Sequence, residues 1–294
     1  MDKKNLKHHL EFSLFTNPGL YKTKLKNDLP DDIKKIGDLV RVAFIHRTTL
    51  AAGNTGTNAD KKYGDMTKIP WWQQPQDDYL ITSAAMLAEL YRKNPEGFNL
   101  KKKETDKLVL TCRFTAIMMA SIIKSKGTAC RVRSGFAPYF GDKKSWDHWI
   151  NQYWDKKQKR WITIDVDASW HTLNFNPYDM PNNAFDFAAD AWLKVRTNEI
   201  NDHYFNNAGG FSGIYPLAWE LIYDFHCLMN SEIIYIQGPG FLSPENIKNP
   251  INKPHLEKLD NLAKLMQNPD ENFDELKMTW ETDKELRLLK GGLL

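Results

Sequence analysis

The sequence has little that would support a cross-linked scaffold, a membrane span or a polyanion-binding surface. Its 294 residues hold 3 cysteines, an odd number too sparse for a disulfide framework, so a reducing, cytoplasmic setting is expected. No run of about 18 apolar residues occurs, and the basic start MDKKNLKHHLEFSLF lacks the apolar stretch of a signal peptide, so a soluble protein that avoids membranes is expected. Charge of neither sign dominates: 40 Lys plus Arg against 37 Asp plus Glu leave +3, which gives no argument for nucleic acid as a partner. A phosphate-binding glycine loop and a Gly-x-Ser-x-Gly elbow are both missing. His8-His9 has no further ligand at metal-site spacing, so neither a metal nor a cofactor is expected, and the pair reads as a floppy, solvated end.

What the chain does have is an apolar stretch at residues 111–125, too uniform for a surface helix, which predicts a helix buried on most of its circumference. Lys126-Gly127 supplies its stop, because glycine accepts the left-handed cap. Cys112 falls in the first turn. There the unpaired N–H groups and the positive helix end favour a thiolate, the nucleophilic form of cysteine. Cys227 lies on an apolar helix predicted over 216–230, with no acid or histidine at useful spacing after it, and reads as core.

Beyond Gly127 the apolar period changes to two, predicting strands at 129–136, 146–154 and 161–167, the last two joined by the polar turn 155–160. With Trp154 opposite Trp161, His148 faces Asp167 and lies diagonal to Asp165; sliding the pairing by two residues sets His148 against Asp165 directly. Either register brings an imidazole and a carboxylate to one face of a hairpin that follows a helix-capping cysteine. A Cys-His-Asp acyl-transfer triad needs that set of groups.

In this order the residues resemble the transglutaminase-like, papain-related cysteine enzymes. The likeness rests on Cys112 opening its helix, Gly127-Thr128-Ala129-Cys130-Arg131 leading into a strand, His148-Trp149, and Trp161 four residues before Asp165. It extends toward a bacterial group of transglutaminase-domain proteins through Cys112-Arg113, Gly135-Phe136 with Tyr139-Phe140, Asp147-His148-Trp149, Ala191-Trp192, Tyr223-Asp224-Phe225 and Glu232-Ile233. Two positions depart from that pattern: Phe114 stands where an acidic residue is common, and Thr128 where proline is. The resemblance implies an α+β fold, an antiparallel sheet packed on the buried Cys112 helix, within a single domain of residues 1–294. The catalytic core would occupy about 100–170, and a C-terminal helical cap about 216–294.

Toward the N-terminus, residues 31–48 place Ile33, Ile36, Leu39, Val40 and Phe44 on one helical face, with His46 on the same helix in a structural role. Residues 53–68 read as a surface loop, and 78–92 as another amphipathic helix. Between them, Trp71, Trp72, Gln73 and Gln74 are candidates for the oxyanion donor that some transglutaminase-like enzymes take from an upstream Trp or Gln. The simpler expectation for them is a wedge of aromatic core. After the hairpin, 170–187 reads as an ordered surface connection; Trp149, Trp170, Tyr178 and Phe211 are candidate substrate-pocket residues. Two charged helices are predicted within 254–289, separated by Asn268-Pro269-Asp270.

The expected chemistry is attack of Cys112 on a peptide, amide or thioester carbonyl, with His148 as acid and base and Asp165 orienting the imidazole. Water as acceptor makes an amidase or peptidase, and an amine makes a transamidase or amide synthase. The alternative is a non-catalytic binding protein on the same fold.

Overall fold

The computed structural model describes residues 3–47, 64–141, 143–243 and 245–289. In chain order the elements are α1 (Lys3–Leu10), α2 (Lys22–Asp28), α3 (Ile33–Ala43), β1 (Phe44–His46), α4 (Ser83–Lys93), β2 (Leu108–Leu110), α5 (Cys112–Ser125), β3 (Cys130–Ala137) and β4 (Ser145–Asp155). There follow β5 (Arg160–Ile164), β6 (Asp186–Phe187), α6 (Ala188–Arg196), β7 (Phe205–Asn206), α7 (Ile214–Leu228), α8 (Lys253–Gln267) and α9 (Phe273–Thr282). The fold is mixed α and β. Its larger sheet has strand order β5-β4-β3-β6, with β7 beside β4.

Two compact units form: His9–Arg131 with Ile150–Pro181, and Met1–His8 with Val132–Trp149 and Asn182–Leu294. The first is built around α5, all 14 residues of which are buried because α2, α3 and α4 pack on it. Gly127, at φ +80°, ends the helix as the sequence implies. The Lys126 ammonium then reaches back to the carbonyls of Lys26 and Leu29, which ties the end of α5 to the end of α2. In the same unit β5 pairs antiparallel with the second half of β4, in the register Trp154↔Trp161 through Asn151↔Ile164. That is the first of the two registers the sequence leaves open. The third strand is shorter than 161–167, however: it stops at Ile164, where the Asp165 N–H turns to the Pro177 carbonyl and a single turn over Asp167–Trp170 begins.

The helix expected over 31–48 also divides. Asp32 caps α3, its carboxylate accepting the Lys35 N–H, but the chain extends after Ala43 into β1. β1 pairs in parallel with β2, His46 opposite Leu110, and Arg47 N–H continues the ladder to the Leu110 carbonyl. The β-favouring Phe44 and Ile45 gain ladder bonds and burial there, which overrides the helical spacing. Of the loop expected at 53–68, residues 53–63 lie outside the described residues. Its last part is no surface loop, since Met66 is fully buried with Ile45, Ile69 and Val109. Helix α4 starts at Ser83, later than expected, with Thr82 as its cap.

The second unit joins α6, α7, α8 and α9 to the first half of β4 and to β3, β6 and β7. Gly135 pairs with Phe187 where the strands approach so closely that a Cβ would run into the Asp186 carbonyl and the Ala188 nitrogen. On β3, Arg133 makes a bidentate pair with Asp224 of α7, at 2.8 and 2.7 Å, and Ser134 N–H donates to the same carboxylate at 3.0 Å. The floppy end expected at His8-His9 is ordered: α1 is anchored by Asn5 to Asp270, the His8 ring meets the Leu228 carbonyl at 3.0 Å, and His9 is 1% exposed.

Candidate functional site

Cys112 is the first residue of α5, and the residue before it, Thr111, makes no side-chain cap. Its N–H is one of the donors that a helix leaves without an internal partner. A side chain from elsewhere takes it: His46 Nε2 accepts the Cys112 N–H at 3.1 Å. The position follows from strand pairing, because the partner of His46 across the β1–β2 ladder is Leu110, two residues before Cys112.

A carboxylate stands on the same imidazole. Asp167 Oδ2 lies 3.6 Å from His46 Nε2, and its Oδ1 lies 3.9 Å from the Arg41 guanidinium, which sits over the Trp170 ring at 5.0 Å. Burial alone would lower the His46 pKa, although 21% of the side chain stays exposed. The Asp167 charge and the Cys112 sulfur outweigh burial and the opposing Arg41, so the pKa is raised above its ordinary value. One nitrogen cannot serve both bonds at once. Neutral Nε2 accepts the Cys112 N–H; protonated Nε2 has no lone pair and turns toward anions.

Other sequence candidates in this unit have definite places. Asp165 Oδ1 accepts the Ala168 N–H at 2.9 Å and so braces the turn that carries Asp167. Tyr178 approaches Asp38 at 3.4 Å and lies against Gly37; burial, joined by that carboxylate, pushes its phenol up to about 12. Trp71 and Trp72 are 77% and 62% exposed, so the expected aromatic core wedge is not formed. Gln73 and Gln76 are what hold that segment: Gln73 Nε2 donates to the Lys107 carbonyl, and Gln76 Oε1 accepts the Val109 N–H. These two amides satisfy backbone groups of Lys107 and Val109, at and just before β2, as a neighbouring strand would. Gln74 donates to the Ile69 carbonyl.

His148 belongs to the other unit, at 2% exposure, with the Phe140 ring edge-on at 4.9 Å and the Tyr139 ring at 6.4 Å. Asp147 beside it accepts the Ala208 N–H at 2.8 Å. Trp149 is buried against Tyr223 and Tyr235, while Phe211 is 48% exposed and meets Trp219 edge-on. Cys112 and Asp165 thus lie in one unit and His148 in the other.

Sequence reasoning missed His46 and gave Asp167 a place only as the rival of Asp165. A signal for His46 existed in the β-favouring run Phe44-Ile45 ahead of it, but it was masked by continuity with the helical face of α3. Among the described residues no cluster of three or more His, Cys, Asp or Glu has metal-binding geometry, and no helix is long and apolar enough to cross a membrane. No family model matches the sequence, and neither a curated protein nor a solved structure matches it.

Proposed function

We propose that this protein is a cysteine-dependent acyl-transfer enzyme with Cys112 as its nucleophile, acting on a peptide, amide or thioester carbonyl from a transglutaminase-like core. The observation that carries this reading is the junction of thiol, imidazole and carboxylate within one unit: Cys112 opens a buried helix, His46 takes its N–H, and Asp167 lies 3.6 Å from that imidazole. A helix N-terminus next to a cationic imidazole lowers the cost of a thiolate.

The thiolate attacks the carbonyl carbon and the leaving group departs from an acyl-thioester, which water or an amine then resolves. His148 receives the thiol proton and delivers it to the leaving group, and Asp165 orients His148; both roles rest on the sequence resemblance. The test is capture of the acyl-enzyme by intact-mass spectrometry across activated esters, thioesters and glutamine-containing peptides. An acyl adduct confined to Cys112 supports the reading. No Cys112 adduct across that panel, together with binding of a partner that Cys112→Ala leaves unchanged, turns it over in favour of a non-catalytic binding protein.

A further inference from the structure

His148, the proton carrier of the acyl-transfer reading, stands against two aromatic rings. It lies on β4 at 2% exposure, with Phe140 at 4.9 Å and an interplanar angle of 85°, and Tyr139 at 6.4 Å and 87°. The two rings also pack on each other, at 5.0 Å and 67°. Edge-to-face is the arrangement that aromatic rings prefer at such separations, so each contact favours one plane for the buried imidazole over the others.

Local backbone puts the rings there. β3 and β4 are neighbours in the sheet, and the chain leaving β3 makes a single turn over Pro138–Phe140, its first φ fixed by the proline ring. Gly141 follows at φ +101° and ψ −168°, a region that is essentially glycine's alone. A Cβ added there would meet nothing within 4 Å, so this glycine is needed for its backbone angles and not for space. A hydrogen bond on one nitrogen of an imidazole fixes the tautomer but lets the ring swing about that bond. Flat neighbours remove the swing, and proton transfer depends steeply on such alignment.

We propose that Phe140, backed by Tyr139, is a positioning residue for His148, holding the imidazole in the plane from which its proton passes to the leaving group. This rests on the acyl-transfer reading. In that step the Cys112 sulfur bonds to the carbonyl carbon, the bond from that carbon to the leaving atom breaks, and the leaving atom takes from His148 the proton that the thiol gave up. Phe140 exchanges no atom or electron. Its effect is on how well the proton is delivered, so it is largest for leaving groups that need the proton most.

Two esters with one acyl group separate this role from general damage to the site. p-Nitrophenyl acetate and phenyl acetate both leave acetyl-Cys112, but p-nitrophenolate departs readily as the anion, whereas the more basic phenolate gains from protonation by His148. Acetylation by each is followed by intact mass on the full chain as wild type, Phe140→Leu, Phe140→Tyr, Gly141→Ala and His148→Ala, with a thermal melt of every variant. The rate ratio of phenyl to p-nitrophenyl acetate should fall roughly 10- to 100-fold in Phe140→Leu, toward that of His148→Ala, and stay near wild type in Phe140→Tyr, which keeps the ring. Gly141→Ala, which touches neither ring but disfavours the turn, should lower the ratio in the same direction. A wild-type ratio in whichever of Phe140→Leu and Gly141→Ala melts closer to wild type, with a lowered one in His148→Ala, overturns the role of Phe140 and leaves proton delivery by His148 standing. A wild-type ratio no higher than that of His148→Ala overturns both roles. A wild-type Cys112 that neither ester acetylates overturns the acyl-transfer reading itself.

Discussion

His46 Nε2 stands 3.1 Å from the backbone nitrogen of Cys112, across 66 residues of chain. The contact is fixed at both ends by regular structure: β1 delivers the imidazole beside β2, and β2 runs through Thr111 into α5. A ring so placed acts on the electrostatics of the helix end and interacts with the Cys112 side chain as well.

The first consequence is selective thiol chemistry. Among the free cysteines, Cys112 keeps 8% exposure while Cys130 and Cys227 have none, and only Cys112 opens a helix. Iodoacetamide at neutral pH should therefore label Cys112 well ahead of the other two in the folded protein. Equal rates, read by peptide mapping after partial labelling, would remove the thiolate from the proposal.

Replacing Cys112 by Ala should leave the fold intact and abolish turnover. The sulfur is at a helix end, so its loss should cost about 1 kcal/mol of stability. His148→Ala should lower kcat by several orders of magnitude, and the double variant scarcely further, because both changes disable one step. Additive losses in the double variant would mean that the two residues act independently.

How much of this was legible in the sequence depends on the range of each interaction. Helix α5 was, because a largely apolar run followed by Lys126-Gly127 fixes both its burial and its end locally. The β4–β5 hairpin was, because Trp154 and Trp161 flank a short polar turn, although its register was open between two pairings. His46 was not: β1 has three residues, follows α3 with no Gly or Pro between them, and is strand only because β2 pairs with it from 64 positions further on. The Gln73 and Gln76 contacts were hidden for the same reason, since an amide gives no sign in sequence of which distant backbone group it will meet. Asp165 and Asp167 differ by a turn that the hairpin pattern would have continued as strand.

The Arg133–Asp224 pair should be the most sensitive polar contact of its unit. Both side chains are nearly inaccessible, at 4% and 0% exposure, and Asp224 also takes the Ser134 N–H. Asp224→Ala would leave a guanidinium and a backbone N–H buried without that carboxylate, a loss of about 3–5 kcal/mol. Removing both charges together with Arg133→Met and Asp224→Leu should cost less than the single change, because no buried charge is then left alone. Urea unfolding of the single and double variants checks the order, and a double variant less stable than Asp224→Ala would contradict it.

His226 should set the acid limit of stability. It is 1% exposed in α7, with Nε2 at 2.8 Å from the Leu286 carbonyl and the Trp280 ring edge-on at 4.8 Å. Burial, only partly offset by its hydrogen bonds, lowers its pKa to about 4. The unfolded chain, with an ordinary value of about 6.5, therefore binds the proton first as pH falls, and unfolding gains free energy across the window between the two values. Stability from this residue is complete above about 6.5 and lost as pH drops toward about 4, a change of about 3 kcal/mol at 1.36 kcal/mol per pKa unit. His226→Gln keeps a donor for the Leu286 carbonyl but cannot titrate. Its thermal midpoint should start lower than wild type at neutral pH and decline less between pH 6.5 and pH 4; an acid slope as steep as that of the wild type would show that other groups set the limit.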